Sequence, residues 1–329
     1  GIAWAVLGWA VLGCSAEPGT TPVEGSGDPG MNAPRAAERV SVKTDTGKRI
    51  VETQAEIVGD ELLVEGDIPI GKLRDFHPDK PMGLNLKDLD MRWTGAKVRF
   101  GFAEDMATMD RQTLTAAMAE ISARTRITFT EVESDCSNPM IQFVNSTNEN
   151  TSSSSLGMQA FCQELKFWPG HGVGTAMHEI GHALGMPHEQ ARPDRDTYVD
   201  ICEGNIEDGH THNFDKKDEG EVDMLTPYDY ASMMHYERTT FGTFQWTGVP
   251  PDFGFTGQTI RLWSDPECWE DGAGSMDFGS DALTVEDTNT LLLMYGKPLS
   301  VPQTPSKTFP VQHAHSSRSP NSSTCPSDL

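Results

Sequence analysis

Basic residues are scarce in this 329-residue chain: 25 Lys and Arg face 49 Asp and Glu, a formal charge of −24 at pH 7. That field repels phosphate backbones and anionic membrane surfaces, which excludes nucleic acid as a partner. Internal repeats are lacking, so the chain is not a solenoid array. Cysteine is sparse, and the six present fit an oxidising compartment. The apolar run at residues 1–13, GIAWAVLGWAVLG, is too short to span a bilayer. What remains is a polypeptide long enough to build a sizeable core, with one stretch of concentrated chemistry.

That stretch is HEIGHALGMPHE, His178 through Glu189. On a helix His178 and His182, four apart, share one face and can reach one metal ion. Val173, Ala176, Met177, Ile180, Ala183 and Leu184 form an apolar stripe at helical spacing on the other side. Gly185 suits the left-handed residue that ends a helix and lets the chain turn His188 toward the same ion. Three imidazoles leave a coordination position open for water, the catalytic zinc arrangement. Zinc brings the pKa of such a water to about 7, and Glu179 stands next to the first ligand as general base. A lone HExxH occurs on many unrelated helices; the glycine and the third histidine narrow the reading.

Downstream, Tyr228-Asp229-Tyr230 and Ser232-Met233-Met234-His235-Tyr236 have the form of a methionine turn. The histidine motif continues as Glu189-Gln190-Ala191-Arg192-Pro193-Asp194-Arg195-Asp196-Thr197-Tyr198. Over roughly Met91 to Tyr295 these segments resemble the astacin family of metzincin zinc endopeptidases, in a bacterial secreted or lipoprotein form. The resemblance implies an α+β, two-lobed metzincin fold: an upper lobe with a twisted, mostly parallel sheet and the active-site helix, and an irregular lower lobe with a C-terminal helix. It implies one zinc per chain on His178, His182 and His188, Glu179 as base, Met234 as the floor under the metal, and Tyr236 as an added ligand that swings away to stabilise the oxyanion. Glu189 would hold the mature amino terminus. His235 reads as structural, and Arg192, Asp194, Arg195 and Asp196 as an ion-pair network.

Before the protease segment, Val64-Glu65-Gly66-Asp67-Ile68 resembles the inhibitory motif of family prosegments, whose aspartate caps the zinc. The alternative for Asp67 is a polar turn between two short strands. Ile57-Val58-Gly59-Asp60 is a poorer match. Residues 1–14 read as a secretory signal whose Val11-Leu12-Gly13-Cys14 resembles a lipobox, with lipidation of Cys14 giving membrane attachment. The expected organisation is signal 1–14, tether 15–36, prosegment 37–83, catalytic domain 84–296 and a Ser/Pro-rich tail 297–329. An unidentified activating protease would cut between Lys80 and Met91.

Lys97–Phe102, Ile127–Val132 and Met140–Val144 read as strands, Met109–Ser122 and Ala282–Tyr295 as helices, and Leu156–Phe161 as the sheet edge that pairs with substrate. The family's animal disulfide pattern does not carry over, since Arg126 and Gly170 stand where cysteines are expected. By order alone Cys136 pairs with Cys162 and Cys202 with Cys268, leaving Cys325. Ser275 replaces the basic residue that animal members place before Met276-Asp277-Phe278 to select acidic side chains, so that preference is not assumed. The expected activity is endopeptidase cleavage of protein or peptide substrates by an exported enzyme. The alternatives are a zinc peptidase of narrow range, such as one acting on cell-wall peptide, and a lipid-anchored binding protein merely stabilised by zinc.

Overall fold

A computed structural model describes residues 39–45, 50–76, 82–83, 91–133, 136–246, 254–265, 267–268 and 277–296. Cys14, the tether, most of the expected cleavage region, Ser275, Met276, Cys325 and the tail lie outside the described residues.

The first sheet is built from β1 (Arg39–Asp45), β2 (Ile50–Val58), β3 (Glu61–Val64), β4 (Ile68–Lys72) and β5 (Met82–Gly83), in the order β4-β3-β2-β1-β5. The pairings are antiparallel except β1 with β5. Gly59, at φ +64, sits in the turn between β2 and β3, where a left-handed backbone suits glycine. Val42, Ala55, Leu62, Val64, Ile68 and Ile70 form its small core, with Leu156 added from the rest of the chain.

The second sheet follows β6 (Lys97–Phe102), α1 (Thr108–Arg124), β7 (Thr128–Glu131), β8 (Met140–Asn145), β9 (Ser153–Ser154) and β10 (Cys162–Phe167). Its order is β7-β6-β8-β10-β9; only β9 runs antiparallel to its neighbour. Along β10, Gln163, Leu165 and Phe167 are buried in alternation, the period-2 signature of a strand facing a core. That core joins Val98, Ile141, Phe143 and Leu165 of the sheet to Leu114, Met118 and Ile121 of α1 and to Ala176, Met177 and Ile180 of α2 (Val173–Ala183). The mostly parallel sheet with the histidine helix packed on it is the expected upper lobe. Two details differ from expectation. Val173 is exposed, because it opens the first turn of α2 and lies off the buried stripe. The edge strand is Ser153–Ser154 rather than residues 156–161; Leu156 turns its side chain into the first sheet's core, while Gly157 N–H bonds His182 carbonyl.

Beyond α2 the chain is irregular, with three-residue strands β11 (Val199–Ile201), β12 (Phe244–Trp246), β13 (Gly254–Thr256) and β14 (Ile260–Leu262) forming two hairpin-sized sheets. α3 (Val285–Tyr295) closes the domain. It starts three residues later than the sequence reading because Thr284 caps it: Asp287 N–H donates to Thr284 Oγ1 (3.0 Å) and Thr284 N–H to Asp287 Oδ2 (3.1 Å), a reciprocal capping box. Both disulfides form as the order of cysteines predicted, Cys136–Cys162 and Cys202–Cys268. Among the described residues no helix is long and apolar enough to cross a membrane.

Candidate active site

Helix α2 delivers two of the histidines and ends where the third is needed. Gly185, at φ +97, closes it with the paired bonds of a left-handed cap: its own N–H to His182 carbonyl (2.7 Å) and Met186 N–H to Gly181 carbonyl (3.0 Å). Two other late carbonyls of the helix are also satisfied, Ala183 by the Trp93 indole (2.8 Å) and Leu184 by the Tyr295 hydroxyl (2.7 Å). The turn sends the chain back so that His188, fully buried, faces the two helical histidines.

Each imidazole is held by its Nδ1. His178 Nδ1–H donates to Met233 carbonyl (2.6 Å), His182 Nδ1–H to Met186 carbonyl (2.8 Å) and His188 Nδ1–H to Glu65 Oε2 (3.0 Å). These bonds leave the three Nε2 atoms as acceptors, converging on one point. His178 and His188 Nε2 lie 3.3 Å apart, close enough to share one proton or one cation. Asp67 completes the group: its carboxylate lies 3.3 Å from His178 and His188 Nε2 and 3.6 Å from His182 Nε2. The four ligand atoms fall within 4.8 Å of one another. Buried His182 Nε2 and Asp67 Oδ1 have no hydrogen-bond partner. The set therefore fits one zinc ion.

The charges respond to this crowding. Burial opposes ionising Asp67, but the three imidazoles hold its carboxyl well below the usual range. Burial likewise opposes charging His188, yet Asp67 and then Glu65 lift it to about 9, while burial drives His182 down to about 4. Glu179 is buried with one unpartnered oxygen, and burial followed by the Asp67 charge pushes its pKa well up, as expected of a buried carboxyl beside a second carboxylate.

The methionine turn lies directly beneath. A Cβ added at Gly181 would come within 2.8 Å of Met234 Sδ, so this mid-helix glycine is the space the methionine occupies. Asp287 of α3 fixes the turn, accepting from Ser232 Oγ (2.6 Å) and Met233 N–H (3.0 Å). Glu189 N–H donates to Met234 carbonyl (2.9 Å) and Tyr236 N–H to Gln190 Oε1 (3.0 Å), tying the turn to the segment after His188. His235 is structural, as expected: its Nε2 meets Tyr228 Oη at 2.7 Å and its Nδ1 the Tyr236 carbonyl. Burial raises Glu189 to about 7 despite Arg192 at 3.0 Å. Arg192 also bonds Asp194 and Arg195 bonds Asp196, the predicted network.

Tyr236 stacks edge-on against His188, ring centroids 4.7 Å apart, and its hydroxyl donates to the Glu65 carbonyl rather than pointing at the histidines. The segment around Asp67 is both a turn and a neighbour of the histidines. Glu65, Gly66 and Asp67 are the turn between β3 and β4, and they also thread past the histidines. Gly66 (φ +79) is required there, since a Cβ would meet Phe241 Cζ at 2.7 Å. Ser154 N–H of the second sheet's edge strand donates to the Asp67 carbonyl (3.1 Å).

Sequence reasoning missed three residues of this site. Glu65 is buried and ion-paired to Lys217, which holds it below the ordinary glutamate range, near 2, against the cost of burial. Neither partner carries a local signal. Asp287 did: Thr284-x-x-Asp287 is a capping pattern.

The profile of the Astacin peptidase family matches residues 85–255. Zinc metalloproteinase nas-39 of Caenorhabditis elegans is 48% identical over 96 residues, 27% of this chain and 10% of that protein. Low choriolytic enzyme of Oryzias latipes is 32% identical over 230 residues, 61% of this chain and 74% of that protein. The chain spans less than half the length of the first relatives it matches, 43% in the case of zinc metalloproteinase nas-17. Among solved structures, High choriolytic enzyme 1, a hatching-enzyme zinc-protease from medaka, superposes with a TM-score of 0.50 at 27% identity, covering 63% of this chain and 93% of that one.

Proposed function

The chain belongs to the astacin family of peptidases, and from that premise we propose that it is an exported zinc endopeptidase made in latent form. The observation that carries this reading is the Asp67 carboxylate at the point where His178, His182 and His188 converge. Bound there, zinc supplies a Lewis acid that acidifies water and polarises a peptide carbonyl. Glu179 takes the proton of the attacking water and passes it to the leaving nitrogen, and burial raises its pKa. Burial raises the Tyr236 pKa well above its ordinary value, so its hydroxyl keeps its proton and can donate to the oxyanion.

Latency then has two parts. Asp67 fills the position a water needs, and the Glu65 carbonyl occupies the Tyr236 hydroxyl. On this reading residues 37–83 are the prosegment, 84–296 the catalytic domain, and cutting between Lys80 and Met91 releases the site. The two disulfides support an exported protein. A lipidated Cys14 at the end of a 1–14 signal, with the 15–36 tether, would hold it at the envelope of a bacterial cell. The substrate is an extended segment of protein or peptide.

One experiment tests the reading: hydrolysis of a denatured protein by the zinc-loaded chain before and after processing, alongside Glu179→Gln and Asp67→Ala. Chelator-sensitive cleavage should appear on processing, vanish in Glu179→Gln with zinc still bound, and appear without processing in Asp67→Ala. A processed chain holding one zinc that cuts nothing would remove the endopeptidase reading, and a silent Asp67→Ala precursor would remove Asp67 as the cap.

A further inference from the structure

Lys217 is the cation that the catalytic machinery does not use. Its ammonium is mostly buried, with side-chain exposure of 16%, and among the described residues its ion-pair partner is Glu65 of the prosegment turn. It is not on a loose arm: Lys217 N–H donates to the Ala191 carbonyl (2.7 Å), in the helical turn that follows His188, so its place relative to the zinc site is fixed. The Glu65 carboxylate spans the gap, one oxygen on Lys217 and the other on His188 Nδ1. Its backbone adopts φ +52 to do so, an uncommon conformation for a residue with a Cβ.

The same complementarity recurs along the contact. Glu61 pairs with Lys166 of β10, and Glu56 with His210 (2.9 Å). In these three pairs the prosegment supplies the carboxylate and the catalytic side the base, although Arg39 of β1 also lies at this contact, beside Gly209. Glu65 also lines a cleft of about 640 Å³ together with His178, Glu179 and Tyr236, so its place is continuous with the reacting groups.

Departure of the prosegment leaves the Lys217 ammonium without its anion, and another carboxylate can take that place. We propose that Lys217 is a specificity-determining residue of the processed enzyme: its ammonium forms a subsite that takes an aspartate or glutamate side chain of the polypeptide substrate, in the place Glu65 holds in the latent chain. The inference rests on the endopeptidase reading above. Its competitor is Asp215, an exposed carboxylate two residues earlier, which could swing in and neutralise Lys217.

The test uses the full chain, zinc-loaded, processed between Lys80 and Met91 and freed of the prosegment. It is given peptide pairs that differ only by Glu against Gln at one position, scanned along the peptide. At one position the Glu peptide should show a kcat/KM about tenfold higher, mainly through KM. Lys217→Met should bring that ratio to about one, Lys217→Arg should keep it, and Lys217→Glu should shift it toward Lys peptides. Binding of the same pairs to Glu179→Gln, followed by fluorescence anisotropy, reads the preference without turnover. Equal treatment of Glu and Gln at every position, or a ratio in Lys217→Met matching the wild type, overturns the subsite. Tighter binding of a Glu peptide by a chain that cuts none of them would sustain the subsite while overturning the endopeptidase reading.

Discussion

The sheet β7-β6-β8-β10-β9 is parallel in three of its four pairings and carries helices α1 and α2 on a core that runs from Trp93 to Tyr295. The sheet β4-β3-β2-β1-β5 is antiparallel in three of its four, and its core is six strand residues plus a borrowed leucine, Leu156. Both have five strands, yet the first packs against much the larger apolar core. The second is held by what it touches: Leu156, the Ser154–Asp67 backbone bond, and buried glutamates on bases of its neighbour. The smaller sheet is thus built from contacts that its neighbour completes.

Core truncations separate the two most sharply. Phe143→Ala, in the fully buried centre of the second sheet, should destabilise the whole protein by about 3–5 kcal/mol and lower the main thermal transition. Leu62→Ala, equally buried in the first sheet, removes a comparable side chain, about 2–4 kcal/mol. Its effect should appear as early proteolysis of residues 39–76 while the main transition stays put. A common shift of both would mean that the sheets unfold as one.

Gly181→Ala probes the larger sheet's helix where it meets the methionine turn. Overpacking against Met234 costs about 1–3 kcal/mol, and the better helix propensity of alanine offsets up to about 1 kcal/mol. The net thermal loss should be small. Zinc affinity, measured by competition with a chelator, should fall more, because Met233 moves with the turn and its carbonyl orients His178.

The smallest effect concerns Glu56 on β2, the central strand of the smaller sheet. His210 is raised above its ordinary 6.5 by the hydrogen bond to Glu56; burial opposes ionising Glu56, but His210 and Asn213 bring it below 4.5. The Glu56 contribution is complete above pH 4.5 and fades as pH falls through its lowered value. The His210 contribution is complete below pH 6.5 and fades as pH rises through its raised one. Protection of the first sheet from proteolysis should therefore peak between pH 4.5 and 6.5. His210→Ala should flatten the alkaline side of that profile, at a cost of at most about 1 kcal/mol.

What could be read from the sequence was what short spacing encodes. His178, Glu179, His182, Gly185 and His188 fall within eleven residues, and the periods of α1, β6, β8 and α3 are local, so each appeared where expected. Partners far apart along the chain were not legible. Glu65 and His188 are separated by 123 positions and Met233 and Asp287 by 54, and nothing in either residue announces the other. The edge strand Ser153–Ser154 was missed because two buried serines carry no apolar alternation; their burial comes from the sheet packed over them. Asp67 was found as a motif, but its carboxylate meets the histidines only because β3 and β4 bend around Gly66.

The three Nδ1 bonds have a consequence for the order in which the molecule is made. His182 finds its carbonyl four residues away, but His178 waits for Met233, synthesised much later, and Met233 waits for Asp287. A nascent chain that has just displayed HEIGHALGMPH carries all three ligand histidines before the groups that orient His178 exist. Firm metal capture should therefore follow the docking of the helix that carries Asp287, the last among the described residues.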